Sequence, residues 1–304
     1  MVQGNTLSGS GSFSGLGSFS AQSLLIFIGL ENSQGSGAAV YSSDLVNWTD
    51  TSISSNNWKS VVYDGSKFIA FGEYGTIGYY NLATSLDGIT WEYARKDFSG
   101  DGNYYNIQKV IYGGGKFIGF IGNNQIAYSS DLITWSQQYL YANANNIAYG
   151  DGKFVTVQSG YGQYSNVSTD GVNWTYGSMT PDSYVGIAFG NGVFVAAKSG
   201  GGVAYSSDGT SWSYASGPSS AMRISFGNGV FIVNAFDQSW YSSDGINWSS
   251  TVTLPFALTS LTFQNNIFVG IQIGNTNNIC TSSDGINWST FTMPYTKYWI
   301  LAAS

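Results

Sequence analysis

Residues Tyr241–Ser250 read YSSDGINWSS. Ser-Asp-Gly is turn chemistry. An aspartate at the head of a turn accepts hydrogen bonds from backbone N–H groups just ahead, and the glycine takes the left-handed conformation cheaply. Close variants begin at Tyr41, Tyr128, Tyr205 and Thr281. Alignment on the aspartate gives Asp44, Asp87, Asp131, Asp170, Asp208, Asp244 and Asp284, at intervals of 43, 44, 39, 38, 36 and 40 residues. A tryptophan follows each by four: Trp48, Trp91, Trp135, Trp174, Trp212, Trp248 and Trp288. A period near 40 signals a solenoid or a propeller.

A second marker lies upstream in each unit after the first: YDGSKFIAF, YGGGKFIGF, YGDGKFVTV, FGNGVFVAA, FGNGVFIVN and FQNNIFVGI, with Phe68, Phe117, Phe154, Phe194, Phe231 and Phe268 as the repeated phenylalanines. An aromatic residue, a Gly/Asn/Asp turn and an alternating apolar run predict a tight β-hairpin. The Ser-Asp turn makes a second hairpin, so each unit holds four short strands. No segment has sustained helical periodicity. The expected fold is therefore all-β: a seven-bladed β-propeller of four-stranded antiparallel blades over residues 23–304, preceded by a Gly/Ser-rich N-terminal arm, residues 1–22. The first unit opens at LLIFIGL, which matches the second strand of the others. The chain ends on one surplus strand, KYWILAAS, residues 297–304. That strand fits the vacant place in blade one and leaves no open inter-blade edge.

Composition narrows the function. Charged residues are 9%, far below the roughly 25% of ordinary soluble domains, and the net charge is -7. Ten scattered basic residues do not make a nucleic-acid surface. With no histidine there is no imidazole base and no His metal site. The lone Cys280 forms no intrachain disulfide and no thiolate zinc site, and it reads as a strand residue. No cofactor and no metal is expected. The N-terminus lacks a basic region followed by a continuous apolar stretch, so it does not read as a signal peptide, and Ser23–Leu30 is too short to span a bilayer.

The S-x-D-G-x-x-W units resemble the Asp-box, or bacterial neuraminidase repeat, shortened by one residue between Asp and Gly. That resemblance implies propeller blades; sialidases, glycosidases, lectins and receptor ectodomains all carry it. The YSSDGINW copies in an Asn/Ser/Gly-rich chain are also similar to propellers of bacteriophage tail and virion proteins. A sialidase would need three arginines on its substrate carboxylate, and only Arg95 and Arg223 exist. A glycosidase needs two carboxylates about 5–10 Å apart. Glu73 with Asp97 or Asp101 is the one conceivable pair, and nothing singles it out.

The fourteen Asp and Trp residues of the boxes therefore read as scaffold, each aspartate fixing a turn and each tryptophan burying its ring between blades for roughly 2–3 kcal/mol. Asp44 and Asp131 are followed by leucine instead of glycine, so those two turns are expected to differ. The sequons at Asn47, Asn173, Asn247 and Asn287 belong to the same turns and are not expected to carry glycans.

Hairpin turns and boxes share one face of a propeller, the first face; the remaining connections form the second. From repeated Phe to box Asp the chain takes 19, 14, 16, 14, 13 and 16 residues in units two to seven, so the second face varies. Its long inserts, residues 72–84, 94–106 and 159–166, are rich in Tyr, Asn, Gly and Ser, the mixture recognition loops favour. Tyr74, Tyr79, Tyr80, Arg95, Tyr104, Tyr105, Tyr161 and Tyr164 are the candidate ligand contacts. In the arm, Phe13, Leu16 and Phe19 recur every third residue as docking anchors. The function expected is a non-enzymatic virion protein, docked on other virion or assembly proteins through its arm and presenting loops to a cell-surface glycan or protein. A stand-alone lectin and a glycosidase-like enzyme are the alternatives. Nucleic-acid binding and membrane insertion are not expected.

Overall fold

The computed structural model describes residues 27–31, 39–51, 53, 57–73, 79–97, 109–122, 124–158, 160, 162–249, 251–264, 266–274, 276–297 and 299–303. For residues 27–31, 57, 73, 79–81, 94–97, 162, 294–297 and 299–303 the description is of backbone alone. The N-terminal arm with Phe13, Leu16 and Phe19 lies outside the described residues, as do Tyr74, Tyr104, Tyr105 and Tyr161.

Alternating apolar runs separated by turn residues make strands, and the strands form seven four-stranded antiparallel sheets. The architecture is a β-propeller of four-stranded blades. In sheets two to seven the strands follow chain order from the innermost outward. Their innermost strands are Asn57–Tyr63, Lys109–Gly113, Asn146–Gly150, Tyr184–Gly190, Arg223–Gly227 and Leu258–Gln264. In sheet one the innermost strand is the last in the chain, Trp299–Ala303, paired antiparallel with Phe27–Glu31, so that Phe27 lies opposite Ala303. Each innermost strand touches the next all the way round, and Leu258–Gln264 lies against Trp299–Ala303.

The repeated phenylalanines are the core of each blade. Phe68, Phe117, Phe154, Phe194, Phe231 and Phe268 are buried. Phe27 takes the same place in sheet one, opposite the box serine Ser42 as Phe231 is opposite Ser242. The aromatic residue before each hairpin packs tilted against its phenylalanine at 4.6–4.9 Å between centroids, from Tyr63–Phe68 to Phe263–Phe268. In sheets four to seven that ring also covers a glycine of the preceding sheet. A Cβ added at Gly113, Gly150, Gly190 or Gly227 would lie 2.0–2.3 Å from a ring carbon of Tyr149, Phe189, Phe226 or Phe263. Sheet one has Ala303 at the ring position, and the residue of sheet seven that would face a ring there is Gln264. Sheet two also lacks the glycine, with Asp64 in its place although sheet three has the ring of Tyr112.

The boxes wedge successive sheets. Trp91 packs with Ala39 and Ile53 of the preceding unit, Trp212 with Val155 and Val167, and Trp248 with Val195 and Val203. Asparagines in two hairpin turns add polar clips. The Asn191 amide donates to the Gly229 and Ser243 carbonyls at 3.0 and 2.7 Å, and that of Asn228 to Asn266 and Ser283 at 3.0 and 2.8 Å.

Candidate functional site: the seam between sheets three and four

The serine and aspartate of each Ser-Asp turn are engaged within the turn itself. In the turn quoted above, Ser242 Oγ donates to Asp244 Oδ1 at 2.9 Å and accepts from the Gly245 N–H at 2.8 Å. Asp244 Oδ1 accepts from the backbone N–H groups of Ile246 and Asn247 at 2.8 Å each. Oδ2 accepts from the Asn247 side chain at 2.7 Å. The sequon amides of Asn47, Asn173 and Asn287 are held by their own aspartates in the same way, at 2.7–2.8 Å. These donors hold all seven box carboxyls below the usual carboxylate range. At Asp87 and Asp208 burial is the largest single influence and pushes the other way, and the donors together outweigh it. Asp44, held chiefly by the Asn47 N–H, is lowered to about 2.

The two leucine-bearing turns do not differ from the rest, contrary to expectation. Leu45 and Leu132 adopt φ of 63° and 64°, beside 74° for Gly245, and both keep the serine and aspartate hydrogen bonds. Left-handed backbone costs roughly 1 kcal/mol or more in a leucine. Burial offsets it: Leu45 packs with Val269 and Ile271, and Leu132 with Ile69 and Phe71. Those seams hold an isobutyl group where a Cβ on Gly245 would meet Val195 at 2.4 Å. Cys280 is a buried strand residue of sheet seven whose thiol burial pushes up to about 12.

The second face is built differently. Of the candidate contacts, Tyr79, Tyr80 and Arg95 fall at its edge in sheet two, where Tyr79 pairs with Asp97, Tyr80 with Lys96 and Asn81 with Arg95. Tyr164 belongs to Gly162–Ser168, the third strand of sheet four, and is not alone. Tyr141, from the connection between sheets three and four, stacks on Tyr176 at 3.9 Å and 11°. Tyr164 stands edge-on to both, at 5.1 and 5.7 Å. Tyr141 is 58% exposed and Tyr176 51%, with Tyr139 alongside in sequence at 68%. The neighbouring phenols Tyr164 and Tyr176 push the Tyr141 hydroxyl above its ordinary pKa.

Residues 139–145, YLYANAN, explain how this cluster is held. Leu140 and Ala142 turn inward and are buried, so Tyr139, Tyr141, Asn143 and Asn145 turn outward. The wholly buried Asn166 clamps the segment. Its Oδ1 accepts from the Ala142 N–H at 3.1 Å, while its Nδ2 donates to the Ala142 carbonyl at 3.2 Å and to Thr156 Oγ1 at 2.8 Å. The Leu140 N–H donates to the Asn124 carbonyl at 2.7 Å. The next residues of the connection line a cleft of about 240 Å³ with Gly122, Asn124 and Gln125 of sheet three and Gln158 of sheet four. Asn124, Gln125, Asn143, Asn145 and Gln158 give it five carboxamides and no ionisable side chain. Such a surface offers donors and acceptors in equal measure.

Sequence reasoning missed Tyr141, Tyr176 and the cleft because it looked for long inserts, and the connection between sheets three and four is short. The strict alternation of YLYANAN was the available signal: a half-buried segment with tyrosine and asparagine on its open side.

No protein-family model matches the chain, and no curated protein matches its sequence. Solved structures do match. Virginiamycin B lyase from Staphylococcus aureus superposes with a TM-score of 0.64 at 9% identity, over 78% of this chain and 84% of that one. YCF48 bound to D1 peptide gives 0.56 at 18%, over 77% and 82%, and the WD40 propeller domain of Doa1 gives 0.57 at 12%, over 88% of each chain. These likenesses establish the propeller fold. At such identities they speak neither for nor against an enzyme, a virion protein or a lectin, and the likeness of the turns to the Asp-box rests on the residues themselves.

Proposed function

We propose that this chain is a non-enzymatic recognition propeller that binds an uncharged oligosaccharide at the second-face seam between sheets three and four. The tyrosine cluster beside a carboxamide-lined cleft carries the reading. Sugar rings offer C–H faces that stack on aromatic rings and hydroxyls that both donate and accept, which matches tyrosine faces and side-chain amides. Glycosidic cleavage calls for two carboxylates, and the cleft lining has none.

In this reading the seven sheets are seven blades of one ring closed by Trp299–Ala303, and the protein serves as an attachment component of a particle. Phe27 enters the ring opposite Ser42, at the first face. An anchor on residues 1–22 would therefore leave the second face pointing away from the particle. The virion setting itself follows the resemblance of the repeat.

A neutral-glycan array probed with the full chain tests the reading. Binding to a defined set of uncharged glycans is expected, with Tyr141→Ala and Asn143→Ala each weakening it at least tenfold. No retained glycan, undiminished retention by both variants, or release of a shorter sugar would overturn it. Deleting residues 1–22 is expected to leave glycan retention intact and abolish incorporation into the particle.

A further inference from the structure

The innermost strands bring seven equivalent positions to the second-face mouth of the central channel. Ser60, Lys109, Asn146, Gly186, Arg223, Ser260 and Ile300 each pair with the second-strand residue three beyond the repeated phenylalanine, from Phe71 and Phe120 through Asn234 to Leu30. None is acidic and two are cationic. Lys109 belongs to sheet three and Arg223 to sheet six, three places apart in a ring of seven, and so on opposite sides of the axis. One step further in, the ring is neutral: Val62, Ile111, Ala148, Ala188, Ser225, Thr262 and Ala302.

Acidic residues at the second face, among them Asp182 and Asp237, lie in the outer connections rather than at these seven positions. Box and hairpin turns place nine of the fourteen aspartates at the first face: the seven box residues, Asp64 and Asp151. Lys109 and Arg223 are solvent-accessible, and among the described residues neither has a carboxylate partner. Arg223 spends one N–H, from Nη1 to the Met222 carbonyl at 2.7 Å, which leaves most of its donor fork open. Solvent reaches Lys109, yet the protein atoms crowded around it partly desolvate its ammonium; that first, and then the charge of Arg223, push it down to about 8. The charge of one cation thus acts unfavourably on the other.

We propose that the second-face mouth of the channel is an oxyanion site, in which Lys109 and Arg223 grip a phosphate or carboxylate group from opposite sides. A rim of one sign with low-dielectric walls focuses its field on the axis. Guanidinium and ammonium are the groups that hold such oxyanions by charge-assisted hydrogen bonds. Asn146 and Ser260 add neutral polar groups to the rim, while the buried Ser60 hydroxyl is held by the Val110 backbone of the next sheet. The site is separate from the tyrosine seam, and its occupant enters along the axis.

Titration calorimetry of the full chain with inorganic phosphate, and separately with glucuronate, at constant ionic strength tests this. A single saturable site is expected for at least one of them, weakened at least tenfold by Lys109→Gln and by Arg223→Gln. Binding of phosphate marks a free or esterified phosphate as occupant, and binding of glucuronate alone marks a sugar acid. Either single variant is also expected to raise the melting temperature without anion and to lose the rise that anion gives the wild type. Absence of saturable binding by both probes, or equal binding by wild type and both variants, would overturn the proposal.

Discussion

The two faces of this ring spend their polar groups in opposite ways. On the first face Oδ1 of Asp244 and of its six counterparts accepts from the chain's own N–H groups. On the second face, at the seam of sheets three and four, amide and phenol groups stand open to solvent at Tyr141, Asn143 and Tyr176. Repetition therefore marks the places where the chain serves itself. The site where it can serve a ligand is where YLYANAN departs from the pattern.

The comparison breaks most sharply at the first-face seams. Gly227→Ala would force a methyl to within 2.0 Å of the Phe263 ring, and overpacking of that kind costs about 3 kcal/mol. Urea unfolding is expected to show that loss. A destabilisation under about 1 kcal/mol would mean that the blades slide past one another more freely than the packing implies.

Acid sharpens the contrast next. A carboxyl whose folded pKa is depressed contributes stability that is complete above its unfolded value and is lost as pH falls through the folded one. The Asp44 carboxyl, at about 2 when folded against an ordinary 3.8, contributes fully above about pH 4 and loses its contribution between there and about 2. The other six boxes act in the same direction. Thermal unfolding followed from pH 7 downward is expected to stay level until about pH 4 and then fall steeply. Glycan retention, which uses groups that do not titrate in that range, is expected to be level between about pH 5 and 7. A stability that already declines at pH 6 would contradict the account of the boxes.

The smallest expected effect is on stability at the second face. Tyr141→Ala removes an exposed ring and is expected to change the unfolding free energy by no more than about 0.5 kcal/mol, the range of ordinary surface substitutions. A loss of 2 kcal/mol would make the tyrosine cluster part of the scaffold and remove the reason to read it as a site.

Most of the fold was legible because each blade must solve the same local problems in the same residues. Asp and Trp at a fixed spacing, phenylalanine after a Gly/Asn turn and an unpaired terminal strand are local signals with global consequences. The expectation that the Leu45 and Leu132 turns would differ slightly from the rest failed for a tertiary reason. A hydrophobic slot in the neighbouring sheet rewards a side chain at a backbone angle that propensity alone disfavours. The site was legible only in part. Tyr164 was found by the composition of its loop, whereas Tyr176 meets it from the paired strand of the same sheet and Tyr141 because Asn166 draws a neighbouring connection across the seam. Lys109 and Arg223 sit 114 positions apart in sequence, and only the ring of innermost strands brings them to equivalent positions around one axis.

The pairing of Phe27–Glu31 with strands on both sides has a mechanical consequence. Trp299–Ala303 flanks it on one edge and Ala39–Ser42 on the other, through nine paired positions in all. If a tether on the N-terminal arm pulls against a ligand held at the opposite face, the load runs along this strand and across its hydrogen bonds. The bonds on both edges then share the load in shear and must give way together, whereas a peripheral strand would peel off one bond at a time.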